Sequence, residues 1–235
     1  MEVVQLLKLI RLELKKHKIS GYIMAAIIAN IIMLVVACLL PIVERLENDA
    51  YFINYEMMFM MINLMARGTF IVFAGVLIAK FIIDEYKNKT MHLLFMYPIR
   101  RQKIILAKLI IISSFTFISI VVSNIIIGSA FYGINSIAHF FTAPLKWKFI
   151  SEHAITVLFS ALASAGLGLI PLYFGMIKKS VPTTIVSSIL LVSIVGSSNG
   201  EFSLFNIIAI PATLAVVGLF IAYISIRNIE KEDIN

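Results

Sequence analysis

Few side chains here could do chemistry, and their placement excludes most kinds of it. The four histidines, His17, His92, His139 and His153, are scattered, and the single cysteine, Cys38, cannot form an internal disulfide. There is no HExxH, GxSxG or paired-carboxylate arrangement, so neither metal-assisted nor nucleophilic hydrolysis has its residue set. No catalytic residue and no metal ligand is expected. A GxxxxGK(S/T) phosphate loop is also missing, so any ATP hydrolysis falls to another polypeptide. All thirteen acidic residues lie in loops, termini or the edges of apolar runs. Proton- and sodium-coupled carriers rely on carboxylates buried in the membrane, which argues against that class.

Two cations stand out instead. Arg67 and Lys80 lie in one apolar run, thirteen residues apart, about 20 Å along a helix. Both can snorkel to opposite headgroup layers and bracket a hydrocarbon core of about 30 Å. Alternatively, Arg67 faces the protein interior and meets a substrate or partner. With the sparse polar groups Asn63, Ser123 and Asn124, Arg67 makes up a candidate substrate path. Met57, Met58, Met60 and Met61 sit just upstream with no cysteine or histidine beside them. They read as an adaptable apolar surface rather than a Cu(I) site.

The elements that position these residues are membrane spans. The chain is 60% hydrophobic and 14% charged, with mean hydropathy +0.98, far from a soluble profile. Six apolar runs are expected as helices: Gly21–Val43, Met57–Ile83, Ile104–Gly133, Ala154–Gly175, Pro182–Ser197 and Leu204–Ile226. A span needs about 20 residues, which only Pro182–Ser197 fails to reach. Sixteen of the twenty basic residues fall on one side of these runs, leaving only Arg45, Arg67, Lys146 and Lys148. The positive-inside rule then puts both termini and the loop after span two in the cytoplasm. This bias accounts for the net charge of +7 without nucleic acid as a partner. The first run is long, starts after about twenty residues and lacks a small-residue cleavage site, so it reads as a retained span rather than a signal peptide.

The fold expected is all-α and polytopic. Residues 1–20 form an amphipathic interfacial helix, and residues 21–235 a single six-helix domain with no room for a soluble one. In the N-terminal helix, Val3, Leu6, Leu7, Ile10 and Leu14 fall on one arc and the lysines opposite, suited to anionic headgroups of the bilayer. Val4, Leu9 and Leu12 break the pattern. Span four carries Ser160, Ala161, Ser164, Ala165 and Gly168, a small-residue face for close helix packing inside the subunit or across a dimer. Pro171 and Pro211 can kink spans four and six.

The segment Asp84–Lys108, DEYKNKTMHLLFMYPIRRQKIILAK, is the longest connection on the basic side. Helix can continue to Met96, with Leu93, Leu94 and Phe95 apolar among charges, and Pro98 disfavours helix at Tyr97. A charged, partly apolar helix projecting from two spans is a docking surface. The run EYKNKT…LLFMYPIRRQKIILAK resembles this loop in ATP-binding-cassette (ABC) type-2 permeases, closest to the small bacterial permeases grouped with bacitracin resistance and lantibiotic immunity.

The resemblance implies a cytoplasmic coupling helix within residues 84–103, carried by Glu85, Tyr86, Lys87, Lys89, Thr90, Leu93 and Leu94. It implies two permease subunits, identical or related, above two separate ABC ATPases that hold ATP and magnesium, in a bacterial plasma membrane. It also implies export of antimicrobial or other amphipathic peptides. One departure is the short connection Ser198–Ser203, where larger relatives build an outer re-entrant element. Two other readings fit the residues alone: a membrane scaffold or sensor that recruits a cytosolic partner through the same loop, and an ATP-independent carrier.

Overall fold

A computed structural model describes residues 2–16, 19–47, 55–87, 101–138, 147–196, 198–199 and 202–203, with residues 213, 216–221 and 223–224 beyond them. Helix α1 (Glu2–Lys16) precedes α2 (Ile19–Glu47). Helix α3 (Tyr55–Ile78) runs without a break into a π-helical stretch, Ala79–Ile83, and a closing α-turn, Asp84–Lys87. Then come α4 (Arg101–Ala138), α5 (Trp147–Leu167), α6 (Pro171–Lys178) and α7 (Val181–Gly196). Among the described residues the only strands are Ser198–Asn199 and Phe202–Ser203, a two-residue antiparallel pair. This tight hairpin fits the short connection expected there.

Four stretches are long and apolar enough to cross a membrane: Ser20–Val43, Tyr55–Lys87, Gln102–Ile137 and Trp147–Lys178. They coincide with the first four expected spans. The fifth forms as a helix of 16 residues, about 24 Å long and short of a full hydrocarbon core. The sixth, Leu204–Ile226, lies mostly outside the described residues. Its described part includes Gly218, packed against the backbone of Gly166, which brings that segment onto α5.

Composition sets each helix's place. Helix α2 buries little beyond Ala26, Met33 and Ala37 and turns Ile23, Ile27, Ile31 and Val35 outward, as a helix facing lipid should. The Asn30 amide nitrogen donates there to the Ala26 carbonyl at 2.8 Å. Helix α3 is mostly apolar and lies at the centre, against α4, α5 and α7. Ala74, Leu77, Ile78 and Phe81 join Ile105, Leu109 and Leu172 in one core cluster.

Small residues allow the closest crossings. A Cβ on Gly75 would stand 2.5 Å from Ser188 of α7, and one on Gly168 would stand 2.9 Å from the Ala74 side chain. Ser160, Ala161, Ser164 and Ala165 are all buried, so the small-residue face of span four packs inside the subunit.

Pro171 breaks span four, as its ring chemistry requires. It has no N–H and clashes with the carbonyl four residues back. That carbonyl, Leu167 O, accepts instead from Ile170 N at 3.0 Å, and Leu169 N similarly reaches Gly166 O at 3.1 Å. The result is a tight turn over residues 168–170 between α5 and α6. Helix α6 ends on Lys179 in the left-handed region, φ 45°, and the chain reverses at once into α7.

Candidate functional site

Two polar groupings interrupt the apolar bundle, one at its basic end and one within it.

At the basic end, the π-helical stretch widens the last turns of α3. The Asp84 N–H reaches back five residues to the Ala79 carbonyl, and such bulges concentrate at functional positions. Lys108, two turns into α4, is 0% exposed. Its ammonium donates to the Phe81 carbonyl at 2.7 Å and to Glu85 Oε2 at 2.5 Å, and lies 3.6 Å from Glu13 Oε2. Lys16 donates to Glu85 Oε1 at 2.8 Å from a side chain 44% exposed. Two cations and two carboxylates thus join α1, the end of α3 and the start of α4. The buried lysine is tolerable because opposite charges and a carbonyl surround it.

Within the bundle, Asn63 of α3, Asn124 of α4 and Ser160 of α5 meet. Asn124 Nδ2 lies 3.5 Å from Asn63 Oδ1, and Ser160 Oγ lies 3.4 Å from both the oxygen and the nitrogen of the Asn63 amide. These are long, weak contacts. The close bonds run to helix backbone: Asn124 to Ile120 O at 2.9 Å and Ser160 to Val157 O at 3.0 Å. One helical turn further along, Arg67 and Ser164 are buried on the same two helices. Ser123, next to Asn124, is buried as well.

Arg67 faces the protein interior, so outward snorkelling is corrected. At 5% exposure the side chain has no lipid-facing route, because α4, α5 and α7 surround α3. Lys80, the other half of that expectation, is exposed and lies 3.3 Å from Asp84. The structure gathers Asn63 with Asn124 and sets Arg67 and Ser123 beside them. It adds Ser160, which the sequence offered only as a packing residue.

The proposed coupling residues divide. Lys87 is exposed, Tyr86 is partly buried against the core, and Glu85 points inward to Lys108 and Lys16. Lys89, Thr90, Leu93 and Leu94 lie outside the described residues. Glu13, Lys16 and Lys108 were not singled out by sequence. A signal for Glu13 existed: it is three residues from Ile10, at the edge of the apolar arc of α1.

The opposite end is aromatic. Phe149 stacks on His153 with centroids 5.6 Å apart, and Phe59 meets His153 edge-on at 5.3 Å. Tyr55 is hydrogen-bonded to Asn135, and Trp147 and Tyr132 are exposed beside them, as in the aromatic belt of a membrane interface.

Comparison with known proteins agrees with this architecture. The family model described as ABC-2 family transporter protein matches residues 9–196. An uncharacterized protein of Bacillus subtilis (strain 168), YcbO, is 42% identical over 227 residues, covering 97% of this chain and 100% of the relative. No solved structure matches.

Proposed function

The chain belongs to the ABC-2 transporter family, and we propose that it forms half of the pathway of an ATP-driven exporter of amphipathic peptides. As a member it is the membrane permease subunit of an ABC transporter, of a kind that works with separate ATPase subunits. The observation that carries the export reading is the enclosed polar layer of Asn63, Asn124 and Ser160 with Arg67 one turn away. Loosely bonded amides and a buried cation suit passing peptide carbonyls and carboxylates, and the apolar helices around them suit the rest of an amphipathic cargo.

In this reading the basic end faces the cytoplasm. Two permease subunits enclose the path, and two ATPases bind ATP and magnesium beneath them. Their closure pushes the coupling helix of residues 84–103 and rocks the spans. Glu85 anchors that helix at its root, while Lys87, Lys89, Thr90, Leu93 and Leu94 meet the ATPase.

The test uses cells challenged with bacitracin or a lantibiotic. Cells whose only copy carries Leu93→Asp and Leu94→Asp should become as sensitive as cells lacking the chain, with the amount of inserted protein unchanged. Full resistance in such cells would remove the docking face. Equal resistance in cells with and without the chain would remove these peptides as cargo.

A further inference from the structure

We propose that α1 is a working part of the drive, tied by Lys108 to the root of the coupling loop so that movement of that root carries α1 with it. The source of the movement rests on the exporter reading above; the tie does not.

Three observations support the tie. Lys108 bonds to Phe81 O and Glu85 at the end of α3 and faces Glu13 of α1, while Glu85 also holds Lys16 of α1. The carboxylate of Glu13 is buried although α1 is otherwise lined with exposed cations at Lys8, Arg11 and Lys15. Finally, the apolar contact of α1 with α4 leaves an open groove of about 250 Å³ beside Ile10 and Leu14, against Tyr22, Phe81 and Phe115. The charges add a directional connection to that apolar contact.

The position of the tie gives it direction. Lys108 grips the π-helical stretch from which the loop springs, so a push on residues 84–87 reaches α1 and α4 through the same ammonium. A buried ionic cluster stabilises little more than apolar packing of the same volume would. What it adds here is a fixed register between α1, the end of α3 and the start of α4.

The test separates the tie from simple stability. The triple variant Glu13→Gln, Glu85→Gln, Lys108→Met removes the three buried charges of this cluster at near-constant volume, so thermal stability in detergent should stay close to that of the parent. Spin labels at Leu12→Cys and Lys87→Cys, both exposed positions, are placed in a Cys38→Ala background in lipid nanodiscs. The parent should give one narrow distance distribution, and the triple variant a distribution at least twofold broader. A second pair, Leu12→Cys with Met24→Cys on α2, reads movement of α1 in the complex with its ATPase. Trapping with ADP and vanadate should shift this distance in the parent and not in the triple variant.

An equally narrow Leu12–Lys87 distribution in the triple variant overturns the tie. An α1 that stays fixed in the trapped parent overturns its role in the drive. Failure to recover any ATPase subunit sinks the exporter reading instead, and the first pair still decides the tie.

Discussion

Glu85→Ala is expected to destabilise the protein by about 3–5 kcal/mol, the usual result of removing one partner from a buried ion pair. Lys108 is fully buried and would keep the Phe81 carbonyl at 2.7 Å and Glu13 at 3.6 Å, but would lose its shortest ion pair, 2.5 Å to Glu85. The effect should fall toward the lower end of that range because those contacts survive. Lys16→Ala removes the other partner of Glu85, yet Lys16 is 44% exposed and Glu85 keeps Lys108. That change should cost less than about 1 kcal/mol. Thermal unfolding of the purified protein in one detergent ranks the two. A similar loss for both, or a negligible loss for Glu85→Ala, would mean that Lys108 is not held as described.

Gly75→Val should be strongly damaging in the apolar interior. Even a Cβ there would stand 2.5 Å from the Cβ and Oγ of Ser188, on a helix whose Thr184 carbonyl is only 3.7 Å away. Helices α3 and α7 would have to separate, and overpacking of this kind costs about 1–3 kcal/mol and occasionally more. The loss would also reach function in the proposed path, since α3 carries Asn63 and Arg67 on its buried side. Ser188→Gly opens the space, because the serine hydroxyl bonds only to Ile185 O of its own helix among the described contacts. A double-mutant cycle of Gly75→Ala with Ser188→Gly should therefore show a favourable coupling above about 1 kcal/mol. Additive effects would argue that the two helices do not cross at this point.

The segments were largely legible in the sequence, and their environments were not. Apolar length alone located the first four spans, because a bilayer imposes it. Pro171 announced the break in span four, and the spacing of Ser160, Ser164 and Gly168 announced a packed face. Arg67 shows the limit. Helix α3 is mostly apolar, with Asn63 and Arg67 on one face, so its pattern separates lipid and protein faces only weakly, and its neighbours enclose the guanidinium. Glu85 and Lys108 are likewise indistinguishable by type from the loop charges around them. Their pairing joins positions 23 residues apart across a loop, and Glu13 arrives from a third helix. The π-helical stretch has no composition of its own, since Ala79–Ile83 reads as ordinary apolar helix.

The most direct test of the central claim, a permease driven by a separate ATPase, is affinity purification of the tagged protein from native membranes, with mass spectrometry of what accompanies it. The account predicts an ABC ATPase subunit in stoichiometric amount, together with a second permease, either another copy of this chain or a related one. Intact, correctly inserted protein that carries neither would contradict it and favour a scaffold or an autonomous carrier.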